Sequence, residues 1–286
     1  MHEAGGLVHA ARQVWAIASY GQTAVRVGVR GRRESALVRR DDRLVFVVGS
    51  PRSGTTFTAT KLGEQPGFVD LGEVKPLKAA LPSLVELPTR DQAFAVRRIL
   101  DRVRRLAFVQ HLRGVEQTPE TSFVVDAALT GYPSASALHV VRDGRDVVCS
   151  LLERGWLSAG RNGHDDARAG YGAHARFWVE PERRDEFERV SNARRAAWAW
   201  RRYVTAAREA PAERTVELRY EALVSDPAAE AERIAPQLGL DPLLLAASLR
   251  DAHPASVGRW QRDLTATEVA DVEDEAGELL ADLGYL

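Results

Sequence analysis

The chain has 286 residues, 45% hydrophobic and 28% charged, with a formal net charge of −1 and one cysteine. This is enough for one medium domain with a sizeable core and ordinary soluble composition, with no charge excess to suggest a nucleic-acid partner. A lone cysteine excludes an intrachain disulfide or a cysteine-based zinc site and suits a reducing cytoplasm, and no apolar run approaches the roughly 20 residues of a membrane helix.

Residues 1–43 stand apart. Leu7 to Tyr20 is mildly amphipathic, and Arg26, Arg30, Arg32, Arg33, Arg39 and Arg40 follow as a basic stretch. A docking helix, a solvated arm and a membrane-surface segment are all compatible with it, the solvated arm being the simplest. No basic, apolar and small-residue succession opens the chain, so no signal peptide is expected. The domain proper is expected over 44–286. It starts with the apolar run Leu44-Val45-Phe46-Val47-Val48, which reads as a buried strand. That strand feeds Gly49-Ser50-Pro51-Arg52-Ser53-Gly54-Thr55-Thr56, and a helix from Thr55 to Gln65 would follow. A loop between a strand and a helix N-terminus offers free N–H groups and the positive end of a helix dipole to an anion. Gly49 and Gly54 keep the glycine spacing of an ATP or GTP phosphate loop. Thr55, however, stands where that loop has its lysine, and the cation sits three positions earlier at Arg52.

A second short strand is expected over 67–72, leading to Gly72-Glu73. Pro76, Pro82 and Pro88 are expected to break the next part into loops and short helical pieces. Asp91 to His111 reads as a helix with Phe94, Ile99, Val103, Leu106 and Val109 on or near one face. Residues 114–119 read as a short strand and turn, and a helix to about Thr130 precedes the strand that ends at Arg142. His139, within that strand, reads as a core residue. Cys149 reads as a packed small residue. Residues 156–190 read as a long functional loop with short helical parts. Helices are expected over Val190–Ala210, from Asp226-Pro227 to Leu238 and over Leu264–Leu283, with a strand at Thr215–Tyr220. Strands alternating with helices indicate an α/β fold of three layers, a central mostly parallel sheet between helices, with a P-loop-like anion loop.

The string Pro51-Arg52-Ser53-Gly54-Thr55-Thr56 resembles the 5′-phosphosulfate loop of the sulfotransferase family, whose donor is 3′-phosphoadenosine 5′-phosphosulfate (PAPS). Leu138 to Ser150 resembles that family's second landmark, an arginine at a strand end and a serine eight residues on, here Arg142 and Ser150. The resemblance implies that Arg52, Ser53, Gly54, Thr55 and Thr56 bind the phosphosulfate, that Arg142 and Ser150 hold the 3′-phosphate, and that Arg52 stabilises the leaving group. Gly72-Glu73 resembles the Gly-Glu of members with a catalytic glutamate, which makes Glu73 the candidate base. The Lys-x-His motif of the cytosolic branch is absent, leaving His111, His164 and His174 as competing bases. Val115 to Pro119 resembles a Glu-Lys-Thr-Pro segment with Gln117 at the lysine position, for which Lys75 or Lys78 could substitute only if geometry allowed. Arg219-Tyr220-Glu221 resembles a segment whose tyrosine borders adenosine, and Gly258-Arg259-Trp260 one that brings Arg259 to the 3′-phosphate. Phe57 is a candidate for stacking on adenine. No essential metal is expected, since the donor lacks the run of phosphates that recruits magnesium. The expected acceptor is a small-molecule or glycolipid hydroxyl: a carbohydrate, a secondary metabolite or a protein-bound intermediate are further cases. The basic arm points weakly to an anionic or membrane-proximal acceptor. Two other classes stay open, a nucleotide kinase with magnesium-dependent ATP binding and a nucleotide-binding module without turnover.

Overall fold

The computed structural model describes residues 18–30, 40–158 and 176–286. In chain order its elements are α1 (18–30), β1 (Val45–Val48), α2 (Thr55–Gly63), β2 (Phe68–Gly72), α3 (Lys75–Leu84), α4 (Thr89–Leu106), β3 (Arg113–Glu116), α5 (Val125–Gly131), β4 (Ser136–Val141) and α6 (Gly144–Arg154). There follow α7 (Arg184–Arg189), α8 (Asn192–Arg208), β5 (Thr215–Arg219), α9 (Tyr220–Ser225), α10 (Pro227–Leu238), α11 (Pro242–Leu249), α12 (Trp260–Asp263) and α13 (Ala266–Asp282). The five strands form one sheet in the order β2-β3-β1-β4-β5, and every neighbouring pair is parallel.

The centre of the sheet is apolar on both sides because helices cover both faces. Along β1 the side chains alternate. Leu44, Phe46 and Val48 join a core with α3, α4 and α5, whereas Val45 and Val47 join a second core with α2, α10 and α11. A third cluster, with α6, α8 and α13, extends from Val141 at the end of β4. This is the expected three-layer α/β arrangement. After β1 the chain builds β2 and β3 on one side and later β4 and β5 on the other. The crevice at the strand ends therefore opens between the neighbours β1 and β4, where open parallel sheets bind ligands.

The main corrections lie between β2 and β3. Pro76 and Pro82 do not fragment the chain, since both lie within the single helix α3. Pro76 occupies the first turn, where the missing N–H has no intrahelical partner anyway, and the helix ends two residues after Pro82. The next helix stops at Leu106 rather than His111, and Phe108 then takes a left-handed φ of 57°. Its buried stripe is Ala93, Val96, Leu100 and Val103, while Phe94 is 68% exposed. Residues 18–30 form α1, which packs Ala24 and Val27 into the first core as a docked helix rather than a solvated arm; the rest of the 1–39 stretch lies outside the described residues. Among the described residues no helix is long and apolar enough to cross a membrane.

Candidate active site

The turn after β1 is held in a conformation that its glycines permit. Gly49 has φ 136° and Gly54 φ 98°. A β-carbon at Gly49 would lie 2.4 Å from the Val140 carbonyl oxygen, and one at Gly54 2.6 Å from the Tyr220 ring. Arg52, between them, adopts a left-handed φ of 72°, a conformation that costs a non-glycine residue about 1–2 kcal/mol. No side chain caps the N-terminus of α2, so its first-turn N–H groups face the crevice. The hydroxyl of Ser53 is buried without a hydrogen-bond partner among the described residues. Thr55 and Thr56 are tied together by Gln117, whose amide donates to Thr55 Oγ1 at 3.3 Å and accepts from Thr56 Oγ1 at 3.2 Å.

The second arginine segment meets the first. Arg52 Nε donates to Ser150 Oγ at 2.9 Å, and Arg142 Nη1 donates to the Arg52 carbonyl at 3.3 Å. Arg142 also donates to the Ser256 carbonyl, lies over the Tyr220 ring at 5.0 Å, and keeps a buried Nε without a partner among the described residues. Burial above all, then Arg154 and Arg142, lower the Arg52 pKa from its usual value, with Glu153 opposing them. The segment Arg142-Asp143-Gly144-Arg145-Asp146 is buried rather than a surface ion-pair cluster. Asp143 caps α6 and pairs with Arg145 at 2.8 Å. Asp146 accepts N–H bonds from Gly258 at 2.8 Å and Trp260 at 3.0 Å, drawing the Gly258-Arg259-Trp260 turn to the same place.

The third contributor is the β2–α3 turn. Glu73 Oε2 accepts from Lys78 Nζ at 3.0 Å, and this ammonium, 4% exposed, is also 3.3 Å from Glu120 Oε1. Glu73 and Lys78 line one cleft with Arg52, Thr55, Thr56 and Gln117, walled on the other side by Trp156, Trp178 and Tyr203. Arg26 of α1 donates to the backbone carbonyls of Leu71 and Glu73 and fastens this turn from behind. Lys78 thus brings to the cleft the positive charge that Gln117 does not supply. Its sequence signal was a lysine on the apolar stripe of Val74, Leu77 and Leu81. Reading Pro82 as a break hid the helix that makes this a stripe. Gln117 was marked by its place in the Val115–Pro119 segment, whereas Trp156 and Arg26 carried no such local signal.

The remaining candidates are spread more widely. Tyr220 is buried between Gly54 and Arg142, and its hydroxyl accepts from Ser256 Oγ at 3.4 Å. Phe57 packs at the edge of the second core with Lys61 5.8 Å from its ring centre, and it does not line the Arg52 cleft. Arg259 is paired with Glu153 and Asp263, which raise its pKa further. His111 lines a separate cavity with Thr60, Gly67 and Phe68, away from Arg52 and Glu73. His164 and His174 lie outside the described residues. His139 is a core residue, and burial followed by Arg208 pushes its pKa down to about 3. Burial pushes the Cys149 thiol up to about 12, as fits a packed side chain.

The profile described as "Sulfotransferase family" matches residues 45–243. The chain belongs to the sulfotransferase family. The solved sulfotransferase domain from the curacin biosynthetic pathway is 14% identical with a TM-score of 0.53, covering 84% of this chain and 98% of that one. A sulfotransferase from Mycobacterium avium is 15% identical with a TM-score of 0.50, covering 89% of this chain and 78% of its own. At these identities the structural likeness establishes the fold. Among curated proteins, an uncharacterized protein of Aquifex aeolicus (strain VF5) is 30% identical over 134 residues, 41% of this chain, and the chain spans 18% of that relative's length. Both arginine segments and Glu73 fall inside the matched region, whereas α1 precedes it.

Proposed function

We propose that this sulfotransferase moves a sulfuryl group from PAPS to an acceptor hydroxyl. The observation that carries the reading is the meeting of two distant arginine segments at Arg52, through Ser150 and Arg142, above an uncapped helix N-terminus. The Ser53 hydroxyl and Arg142 Nε, buried without partners among the described residues, suit an anion with two separated phosphoryl ends. In this reading Ser53, Gly54, Thr55 and Thr56 hold the 5′-phosphosulfate, Arg142 and Ser150 the 3′-phosphate, Tyr220 walls the nucleoside, and Arg259 and Phe57 lie at the margins.

The bound donor supplies a sulfuryl group on a phosphate leaving group. Glu73 accepts the proton of the acceptor hydroxyl as its oxygen bonds to sulfur and the bond from sulfur to the phosphate oxygen breaks. Lys78 holds the Glu73 carboxylate in place and adds positive charge beside the transferring group. Arg52 stabilises the charge that grows on the leaving phosphate, and its crowding by Arg142 and Arg154 leaves that cation short of competing anions. The aromatic wall of Trp156, Trp178 and Tyr203 excludes water from the acceptor side. A nucleotide kinase reading has less support, because Thr55 stands at the phosphate-loop lysine position.

Calorimetry with 3′,5′-bisphosphoadenosine and with ATP tests the donor assignment. Saturable binding of the bisphosphate is expected, and tight ATP uptake with no bisphosphate binding would overturn it. Incubation with sulfur-labelled PAPS and extracts of the source organism then reads transfer directly and identifies the acceptor.

A further inference from the structure

The cleft of Arg52 and Glu73 continues past Glu73. Thr56, Glu73, Lys78 and Gln117 also line a second cavity, which Arg26 and Arg30 of α1 and Lys75 of α3 close from the far side. Arg26, Arg30 and Lys75 do not line the cleft that contains Arg52, so the second cavity is an additional concentration of positive charge on the other side of the candidate base. Its wall carries four cations, Arg26, Arg30, Lys75 and Lys78, against two carboxylates, Asp70 and Glu73.

The charges in this wall are only partly matched: Lys78 is paired with Glu73 at 3.0 Å and with Glu120 at 3.3 Å, so the surplus lies with the cations of α1 and with Lys75. Arg30 pairs with Asp70. Lys75 donates to the neutral amide oxygen of Gln22 at 3.3 Å. Arg26 donates to two backbone carbonyls, while its Nε is buried with no hydrogen-bond partner among the described residues. A cavity with surplus positive charge and a buried unused donor favours an anion. The cations reach it from α1 and from α3, while the Thr60 hydroxyl of α2 donates to Asp70 at 3.4 Å. Cations converging from two elements suit the several oxygens of a tetrahedral group, which accept from more than one side.

We infer that this cavity binds a phosphate or sulfate ester group carried by the acceptor and thereby sets the acceptor hydroxyl against Glu73. The inference rests on the sulfotransferase reading above and narrows it: the acceptor is a hydroxyl compound that already bears a tetrahedral oxyanion. It also gives the N-terminal helix, which lies outside the family match, a part in substrate choice.

The test is calorimetric titration of inorganic phosphate, inorganic sulfate and acetate into the full chain saturated with 3′,5′-bisphosphoadenosine. Saturation removes the donor site as a competing anion site. Phosphate and sulfate should bind saturably and more tightly than acetate. The double variant Arg30→Gln, Lys75→Gln should weaken phosphate binding by about tenfold or more, the scale of a lost charge-assisted contact, and leave bisphosphoadenosine binding unchanged. Neither side chain is buried, Arg30 being 42% exposed, so the variant should fold, which its melting curve checks. No phosphate binding to the saturated protein, equal phosphate affinity in the variant, or acetate binding as tight as phosphate would each overturn the inference. Weaker bisphosphoadenosine binding in the variant would do so as well, since the cavity would then belong to the donor. If bisphosphoadenosine does not bind the wild-type protein at all, the donor reading fails by itself. The same variant titrated with phosphate in the free protein then still decides whether the cavity is an anion site.

Discussion

Two crowds of arginine in this molecule have opposite electrostatic settings. Around α13, Arg183, Arg194 and Arg201 converge on the buried carboxylate of Glu275 at 3.0, 3.3 and 2.9 Å. Glu186 and then Glu275 raise the pKa of Arg183 further. At the crevice, Arg52 meets a serine hydroxyl and the ring of Trp156 at 5.8 Å, and burial, Arg154 and Arg142 lower its pKa. Arginine density marks both regions. What separates them is how closely the protein supplies the counter-charges: among the described residues Arg52 has no carboxylate in direct contact and Arg142 only Asp146 at 3.7 Å, so this cluster is the one suited to a ligand anion.

The contrast can be broken most severely at Glu73. Glu73→Gln should lower turnover by about 10²–10⁴-fold while bisphosphoadenosine binding stays intact, in line with lost acid–base help. A variant with wild-type turnover in a labelled-PAPS assay would put the base elsewhere. Arg52→Ala should reduce turnover by about 10²–10³-fold, as for a lost transition-state charge partner. Its melting temperature should not fall, because a crowded cation is removed. The neutralised cluster should answer in the reverse sense. Glu275→Ala removes the buried carboxylate that three guanidinium groups share, although Arg183 and Arg194 keep Glu186 and Arg201 keeps Glu180; it should cost about 1–3 kcal/mol in a denaturant titration, while bisphosphoadenosine binding by the folded fraction is unchanged. Arg142→Ala should weaken bisphosphoadenosine binding by about tenfold, again measured by calorimetry, and should also lower the melting temperature, because the buried Asp146 carboxylate loses its neighbouring cation.

The smallest effect concerns Glu116, beneath the Gln117 turn. It accepts the Thr118 N–H at 2.8 Å and the Thr121 hydroxyl at 3.0 Å, and burial pushes its pKa up to about 8. The folded chain therefore retains this proton at pH values where the unfolded chain has lost it. Its contribution to stability is complete below the ordinary value of 4.5 and is lost as pH rises through about 8. Melting temperatures across that window should decline, and Glu116→Gln should flatten the decline. An unchanged slope in the variant would assign the proton to another group.

Much of the fold was legible because its signals are local. The apolar run before Gly49 and the run ending at Arg142 needed only strand length and a turn to be read. Asp226-Pro227 caps and opens α10 as expected, and the C-terminal helix begins at a Thr265–Glu268 capping box. The second strand, with Glu73 just beyond its end, was legible for the same reason. The α3 helix was not, because a proline late in a short helix removes a bond that the helix scarcely needs. Lys78 was named beside Lys75 as a substitute for the lysine absent at Gln117, but without the helix nothing chose between them. The docking of α1 was not legible either, since a basic amphipathic stretch looks alike whether it packs on a sheet or meets water.

By itself the sequence determined the strand–turn–helix units, their glycine-permitted bends and the residue types at each strand end, all properties of a few neighbouring positions. The tertiary structure decided which ends meet. Only the order β2-β3-β1-β4-β5 makes the Arg52 and Arg142 turns adjacent, and only the packing of α1 and α3 brings Arg26 and Lys78 to the Glu73 turn. The reason is physical. A bend depends on local torsions, whereas a charge cluster depends on distances that the whole buried sheet and its helices set together.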